Sequence, residues 1–280
     1  MRQLRELCVC SPRGATRIDG IRNILGVDVE RYGAAAVQML REQDASQAGL
    51  FGCFAARKML ESACVALLSH LDPARLLILR EYQLKGDYDL KGRQPASIDW
   101  RSDVVAEKKL NWGESVGPDK FIRALLGGHL AEVAWIHAID QLPTLPSVVS
   151  AESKWIQEIV GQFEQRSAEL TEAAARQNGK REDSTAPAPT PITPSHGMLS
   201  AFRMNAQGIF STLSKGVHLE FVIEPSAIFD HATILESVQS GFKLVTQLAF
   251  IFHLMDCTNA NIDLSRAAAL VLEIEHQVEI

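Results

Sequence analysis

Residues 198–224 read MLSAFRMNAQGIFSTLSKGVHLEFVIE, and this stretch guides the interpretation of the rest of the chain. Its apolar residues recur with the spacing of a helix as far as Gly216, and a glycine in that place is typical of a helix C-cap. Ser214 and Lys215 come just before the glycine, while His218 and Glu220 follow it. The stretch therefore predicts a helix whose end gathers several chemically capable side chains.

Most of the chain outside this stretch also has helical periodicity. Residues 50–71 predict a helix with Phe54, Leu60 and Leu67 on one apolar stripe. The pair Asp72-Pro73 predicts a corner after this helix, where Asp72 caps the next helix. Further helices are predicted at residues 33–42, 119–141, 150–177, 226–256 and 264–280. The expected fold is all-α, a helical bundle with the helices at 50–71 and 226–256 in its core.

A proline-rich segment divides this pattern into two helical blocks. Residues 178–197 combine prolines with small and charged residues, a composition that cannot bury a core. The segment predicts a disordered linker between an N-terminal block, 1–177, and a C-terminal block, 198–280, which carries the candidate site. Residues 85–118 are polar and predict a surface loop. The prolines of the linker are Pro187, Pro189, Pro191 and Pro194.

Composition narrows the class of protein. The chain has 280 residues, 46% of them apolar. Its formal net charge of -6 argues against general electrostatic binding to nucleic acid. Five cysteines, an odd number, indicate reduced thiols rather than a disulfide framework. Neither a signal peptide nor an apolar run of about 18 residues is evident, so we expect a cytoplasmic protein without a membrane span.

Metal and cofactor motifs are weak in this sequence. His129 and His137 lie on one predicted helix but about 12 Å apart along its axis, whereas two zinc ligands on a helix normally lie four residues apart. Glu273 and His276 have the spacing of a di-iron ligand pair, but no second such motif accompanies them. The sequence also contains no phosphate-binding glycine loop and no nucleophile elbow. We therefore expect no metal and no cofactor.

The helix end at 214–220 remains the strongest candidate site. His218, just beyond a glycine cap, is suited to general acid–base chemistry near neutral pH. Lys215 could stabilise charge on a phosphate, Ser214 could hydrogen-bond the same group, and Glu220 completes the substrate-binding set. The structural alternative is that His218 only caps or packs against the helix end.

This region resembles the HEPN superfamily of small all-α domains, many of which are ribonucleases in toxin–antitoxin, antiphage and RNA-processing systems. The family signature is an Arg followed, after four to six residues, by a His. Here the upstream arginine, Arg203, precedes His218 by fifteen positions, and Lys215 stands nearer. The helix 50–71 with its Asp-Pro corner is also similar to that class. The resemblance implies a metal-independent endoribonuclease or toxin component of a bacterial defence system. In that role His218 would be the acid or base, and Lys215 and Arg203 would bind the RNA phosphate.

Two functional hypotheses follow. In the first, the chain is such a HEPN-like ribonuclease, binding RNA as a homodimer with its active residues at the two-fold interface. In the second, the same helical fold is catalytically inactive and serves as a regulatory or scaffolding subunit of a larger complex. The acidic balance and the long Arg-to-His spacing favour the second, while the position of Lys215 and His218 at one helix end favours the first.

Overall fold

Helices make up all the regular secondary structure in the part of the chain that the computed structural model describes. That part is residues 1–10, 16–41, 51–84, 120–127, 129–178, 193–215, 230–256 and 262–279. The all-α prediction is confirmed, whereas the predicted loop at 85–118 lies outside the described residues. The α-helices are α1 (Arg2–Val9), α2 (Arg17–Arg41), α3 (Cys53–Leu71), α4 (Pro73–Gln83), α5 (Lys120–Gly127), α6 (His129–Asp140), α7 (Ser147–Glu152), α8 (Lys154–Asn178), α9 (Pro194–Lys215), α10 (His231–Phe252) and α11 (Leu264–Val278), with a 3-10 turn at Leu142–Thr144.

Of the first two helices, the sequence predicts only a short part of α2, at 33–42. The structure adds α1 and sixteen further residues at the start of α2. Glycine disfavours a helix interior by about 1 kcal/mol relative to alanine, which hides α2 from a propensity argument. In the folded protein Gly26 and Gly33 face α1. A Cβ at Gly26 would lie 3.1 Å from Arg5 Cγ, and one at Gly33 would lie 3.1 Å from Met1 Cγ. These glycines therefore permit the close approach of α1 to α2.

Helix α1 also joins the last helices of the chain. The Glu6 carboxylate accepts two hydrogen bonds from the Arg266 guanidinium, both at 2.9 Å. Leu7 contributes its carbonyl oxygen, which lies 2.8 Å from His253 Nε2. Leu4, Leu7 and Cys8 of α1 are fully buried. The short first helix is thus held between α2 and the C-terminal helices.

Helices α2 and α3 form an antiparallel hairpin. Arg22 near the start of α2 contacts Ser69 near the end of α3, whereas Met39 near the end of α2 lies beside Gly52 at the start of α3. Asp72 then caps α4 as predicted, because its Oδ1 accepts a hydrogen bond from Arg75 N at 3.1 Å. Helix α3 buries residues on nearly all sides and is a core element, with Leu67 fully buried.

Two helices that the sequence predicts as continuous are broken. The helix expected at 119–141 consists of α5 and α6, and Trp135 Nε1 of α6 donates to the Leu125 carbonyl of α5 at 2.8 Å. The helix expected at 150–177 is interrupted at Ser153, whose backbone is extended. Ser153 Oγ and the buried Glu275 carboxylate then accept hydrogen bonds from the first backbone N–H groups of α8. Periodicity does not show such breaks because the partner groups come from elsewhere in the chain.

Both ends of the segment predicted as a linker, 178–197, are helical: Asn178 is the last residue of α8, and Pro194 is the first residue of α9. Helix α9 begins at Pro194, where proline is well tolerated because the first helical N–H needs no intrahelical partner. Thr193 Oγ1 accepts a hydrogen bond from His196 N at 3.4 Å and caps the helix. Residues 179–192 lie outside the described residues.

Helices from both predicted blocks build one hydrophobic core. Helix α10 is its centre: Phe242 and Phe250 are fully buried, and Leu248 is 1% exposed. It packs against α3 and α9 as well as α11. The helix predicted at 264–280 is confirmed as α11, where Asp263 accepts a hydrogen bond from Arg266 N at 2.9 Å.

Phe54, which the sequence places on the apolar stripe of α3, is at the surface instead, as is one apolar side chain of α6. Phe54 is 40% exposed and packs edge-on against Tyr32, with ring centroids 6.1 Å apart. Val133 on α6 is 58% exposed. Both helices are so rich in apolar residues that their periodicity does not identify one buried side.

Candidate functional site

The predicted site at the end of α9 is described only in part. Ser214 is buried, and its Oγ donates a hydrogen bond to the Phe210 carbonyl at 2.6 Å. Lys215 is the last residue of the helix and is exposed. His218 and Glu220 lie outside the described residues. The serine hydroxyl is therefore satisfied within its own helix, and the lysine amine is open to solvent.

Arg203 points to a different part of the molecule. Its Nε donates a hydrogen bond to the Leu126 carbonyl at 2.8 Å, with a second contact from Nη2, and Nη2 lies 3.3 Å from Glu132 Oε2. The guanidinium thus holds the last turn of α5 against the first turn of α6. Arg203 and Lys215 are twelve positions apart on one helix, which separates them by about 18 Å along the axis. The described site residues are not brought together on one side of the helix end.

A buried polar cluster lies at the end of α3, where the sequence gives no motif. Arg22 donates from Nε to Ser69 Oγ at 3.0 Å and from Nη2 to the Ser69 carbonyl at 2.9 Å. A cation at a helix C-terminus stabilises the unpaired carbonyls and the helix dipole. Asp19, 3.5 Å from Arg22, has its pKa lowered mainly by a hydrogen bond from the Thr16 hydroxyl. The 47 positions between Arg22 and Ser69 hide this pair from sequence patterns.

His70 lies in the same cluster and is 8% exposed. Neither ring nitrogen reaches a well-formed hydrogen-bond partner among the described residues, although the Val9 backbone is near enough to favour the protonated ring. Burial, followed by the charge of Arg22, lowers the pKa of His70 to about 3. The imidazole is therefore neutral at physiological pH and sits on Phe252 at a ring-centroid distance of 5.5 Å.

The described cysteines have little thiolate character. Burial raises the pKa of Cys10 and of Cys64 to about 12, and that of Cys53 to about 11. Cys8, fully buried, also has its pKa raised well above the usual value. Because the thiolate is the nucleophile, these side chains are not suited to nucleophilic catalysis at neutral pH.

A groove of about 310 Å³ runs between α8 and α9 and reaches α10. Its floor contains Met198 and Phe202, and Gln247 of the core helix α10 also lines it. Gln162 and Asn205 stand at its rim, so amide side chains face it from three helices. Sequence patterns do not reveal this groove because Gln247 looks like an isolated polar residue in an apolar helix.

The solvent-facing side of α2 combines apolar and basic residues. Ile24 is 63% and Val27 is 37% exposed. The three carboxylates of α2 are half-buried and do not belong to this side. Two of them have partners: Asp19 contacts Arg22, and Glu30 contacts Arg5. We call this surface the outer face of α2. Its residues are Gly20, Ile24, Val27, Arg31, Ala34, Gln38 and Arg41.

Comparisons with known proteins do not assign this chain to a family. No family model, no curated protein and no solved structure matches it. Within the described ranges, no three His, Cys, Asp or Glu side chains lie close enough to hold a metal ion. No helix of the described part is both long enough and apolar enough to cross a membrane. The function is therefore inferred from the surfaces of the molecule itself.

Proposed function

We propose that this protein is a catalytically inactive helical subunit that regulates or scaffolds a larger complex, and that it binds its partner through the outer face of α2. The observation that supports the proposal is the exposure of Ile24 and Val27 on a helix face without a carboxylate. An ordinary surface helix presents polar and charged residues along the middle of its outer face. Ile24 and Val27 are neighbours on this face and are flanked by polar residues, and we infer that another protein covers them.

The spacing and charge of this face favour an acidic amphipathic helix as the partner. The residues of the outer face follow one another at alternating intervals of four and three residues, which is the spacing of a helix–helix seam, and the exposed Asn23 beside them accepts a hydrogen bond from Arg5. Neither Arg31 nor Arg41 forms an ion pair with a described residue, so both charges are available. Carboxylates flanking an apolar stripe would complement them.

The contacts of the predicted catalytic residues also favour a non-catalytic role. Arg203 is engaged with Leu126 and Glu132, and Ser214 with Phe210. Recruiting either to a substrate phosphate would leave a carbonyl or a carboxylate without its present partner. Of the described candidates, only Lys215 remains open to solvent.

A synthetic peptide tests the proposal directly. The probe is an acidic helix of about three heptads with leucine at the a and d positions and glutamate on both flanks. We expect saturable binding by fluorescence anisotropy, weakened by salt because the charges at the rim are exposed. Ile24→Asp is expected to abolish binding, because it places a carboxylate in the centre of the face.

Val148→Asp is the matched control, since Val148 is 65% exposed on α7 and is not part of the outer face. It is expected to bind the peptide as the wild type does. Equal binding by wild type and Ile24→Asp would refute the proposal, as would equal affinity for a peptide with lysine in place of glutamate. Sedimentation of the wild type and Ile24→Asp then shows whether a second copy of the chain covers this face instead.

A HEPN-like ribonuclease remains a second candidate because Lys215 is exposed at a helix end, three positions before His218. RNA cleavage by the purified protein, lost in His218→Ala and reduced in Lys215→Ala at an unchanged melting temperature, would support it. Arg203→Ala separates a structural from a catalytic role: we expect a lower melting temperature, since Leu126 and Glu132 lose their partner. The cytoplasmic location and the homodimer belong to this proposal and stay predictions.

A further inference from the structure

The groove between α8 and α9 has a floor with an unusual polar group. Gln247 is 3% exposed on α10, whose other buried side chains are mostly aromatic or aliphatic. Its Nε2 donates to the Trp155 carbonyl at 3.3 Å. Because a carbonyl can only accept, this contact fixes the orientation of the amide and turns Oε1 away from Trp155.

The other hydrogen-bonding positions of this amide have no partner among the described residues. Gln247 Oε1 is accessible to solvent, and the side chain lines the groove. The oxygen therefore opens into the groove. The accessible oxygen therefore offers a hydrogen-bond acceptor to a molecule in the groove, and the contact of Nε2 with Trp155 holds that acceptor in place.

The rim of the groove provides matching chemistry. Gln162 and Asn205 are exposed, and neither forms a side-chain hydrogen bond with a described residue. The charged pair at the rim, Arg166 and Glu169, is neutralised internally at 3.0 Å. The groove is thus suited to a neutral ligand with both donors and acceptors on its edge rather than to an ion.

Shape and size narrow the ligand further. Met198 and Phe202 line the groove but are only 1% and 4% exposed, so its apolar floor is small. The volume of about 310 Å³ stands at the lower end of the range for small-molecule sites, about 300–1,000 Å³. Side-chain amides of Asn and Gln pair in two-point fashion with the amino group and ring nitrogen of adenine.

We propose that this groove binds a nucleobase, with adenine preferred, through the amides of Gln247, Asn205 and Gln162. The site lies on residues that the outer face of α2 does not include, so it is independent of the proposed protein-binding function. The base would enter the groove with its hydrogen-bonding edge towards the Gln247 amide.

Titration calorimetry of the full chain with adenosine, guanosine, cytidine and uridine tests this proposal. We expect saturable binding that is tightest for adenosine. Asn205→Ala is expected to weaken adenosine binding about twofold to tenfold, the effect of one net hydrogen bond. Gln247→Met is expected to weaken it more, because it removes both hydrogen-bonding atoms at the floor while preserving the length of the side chain.

Control variants show whether the groove itself binds the nucleoside. Gln157→Ala, at an exposed amide of α8 that does not line the groove, is expected to leave adenosine binding unchanged. Asn205 is exposed, so its substitution keeps the test valid even if Gln247→Met lowers the melting temperature. Adenosine monophosphate is expected to bind no more tightly than adenosine. The absence of saturable binding, equal binding by wild type and Asn205→Ala, or a preference of about tenfold for the monophosphate would each overturn the proposal.

Discussion

Acidification should destabilise this protein through His70, whose ring is nine-tenths buried beside Arg22 without a well-formed hydrogen bond. The charges of Arg22 and His253 disfavour protonation of the His70 ring, whereas the charge of Asp19 favours it. The folded pKa of about 3 lies below the ordinary value of 6.5. The unfolded chain therefore binds a proton in the pH range where the folded protein does not, and stability falls as pH falls from 6.5 towards 3.

The size of this effect follows from the two pKa values. With an unfolded pKa of 6.5 and a folded pKa of about 3, the loss of unfolding free energy is about 2 kcal/mol at pH 5 and about 3 kcal/mol at pH 4. At neutral pH the contribution is below about 1 kcal/mol. A loss of this order is a large part of the total stability of an ordinary domain.

Urea unfolding at a series of pH values, for the wild type and for His70→Leu, isolates this contribution. Leucine keeps an apolar side chain against Phe252 but cannot titrate, so the variant is expected to lose about 2 kcal/mol less than the wild type between about pH 7 and pH 5. His276→Leu, at an exposed position of α11, is the control and should follow the wild type. Parallel stability curves for the wild type and His70→Leu would refute this assignment.

Three further predictions concern packing and capping. Gly26→Ala should destabilise the protein by about 1–3 kcal/mol because the new Cβ meets α1. Gly208→Ala, with open space around it, should stabilise the protein by about 1 kcal/mol. The melting temperatures of the two variants check both predictions. Glu275→Leu should cost about 1–3 kcal/mol in urea unfolding because the Trp155 N–H loses its acceptor, and an unchanged midpoint would contradict the capping role. Leu248→Ala should cost about 2–5 kcal/mol in the same assay, since the side chain is 1% exposed at the centre of the core.

Local signals in the sequence predict much of the fold. The caps at Asp72 and Asp263 are recognisable because each acts on a backbone N–H three residues away. The core helices at 50–71 and 226–256 are recognisable from long apolar runs, although their observed bounds, Cys53–Leu71 and His231–Phe252, are tighter. These features depend on residues close together in the chain.

The remaining features depend on partners distant in sequence. Helix α2 tolerates its glycines only because α1 packs on them, and the break at Ser153 is stabilised by Glu275. For the candidate site, the sequence predicts the helix that carries Ser214 and Lys215 but gives no indication that Arg203 binds the carbonyl of Leu126. The groove with Gln247 is not recognisable from sequence because three separate helices form it.

The contacts of α1 and α8 with α11 constrain how this protein can fold during synthesis. When α1 leaves the ribosome, Glu6 and the apolar side of the helix have no α11 to pack against, and α8 has no carboxylate for its first turn. Both deficits persist until residues 264–278 have emerged, roughly 10–50 s after α1 and roughly 5–20 s after α8 at about 5–20 residues per second. The hairpin of α2 and α3 likewise packs against α9 and α10, so part of its apolar surface has no partner until those helices have been made. A chaperone that holds nascent chains should therefore engage this protein early, and a ribosome stalled before α11 should display α1 in a protease-sensitive form.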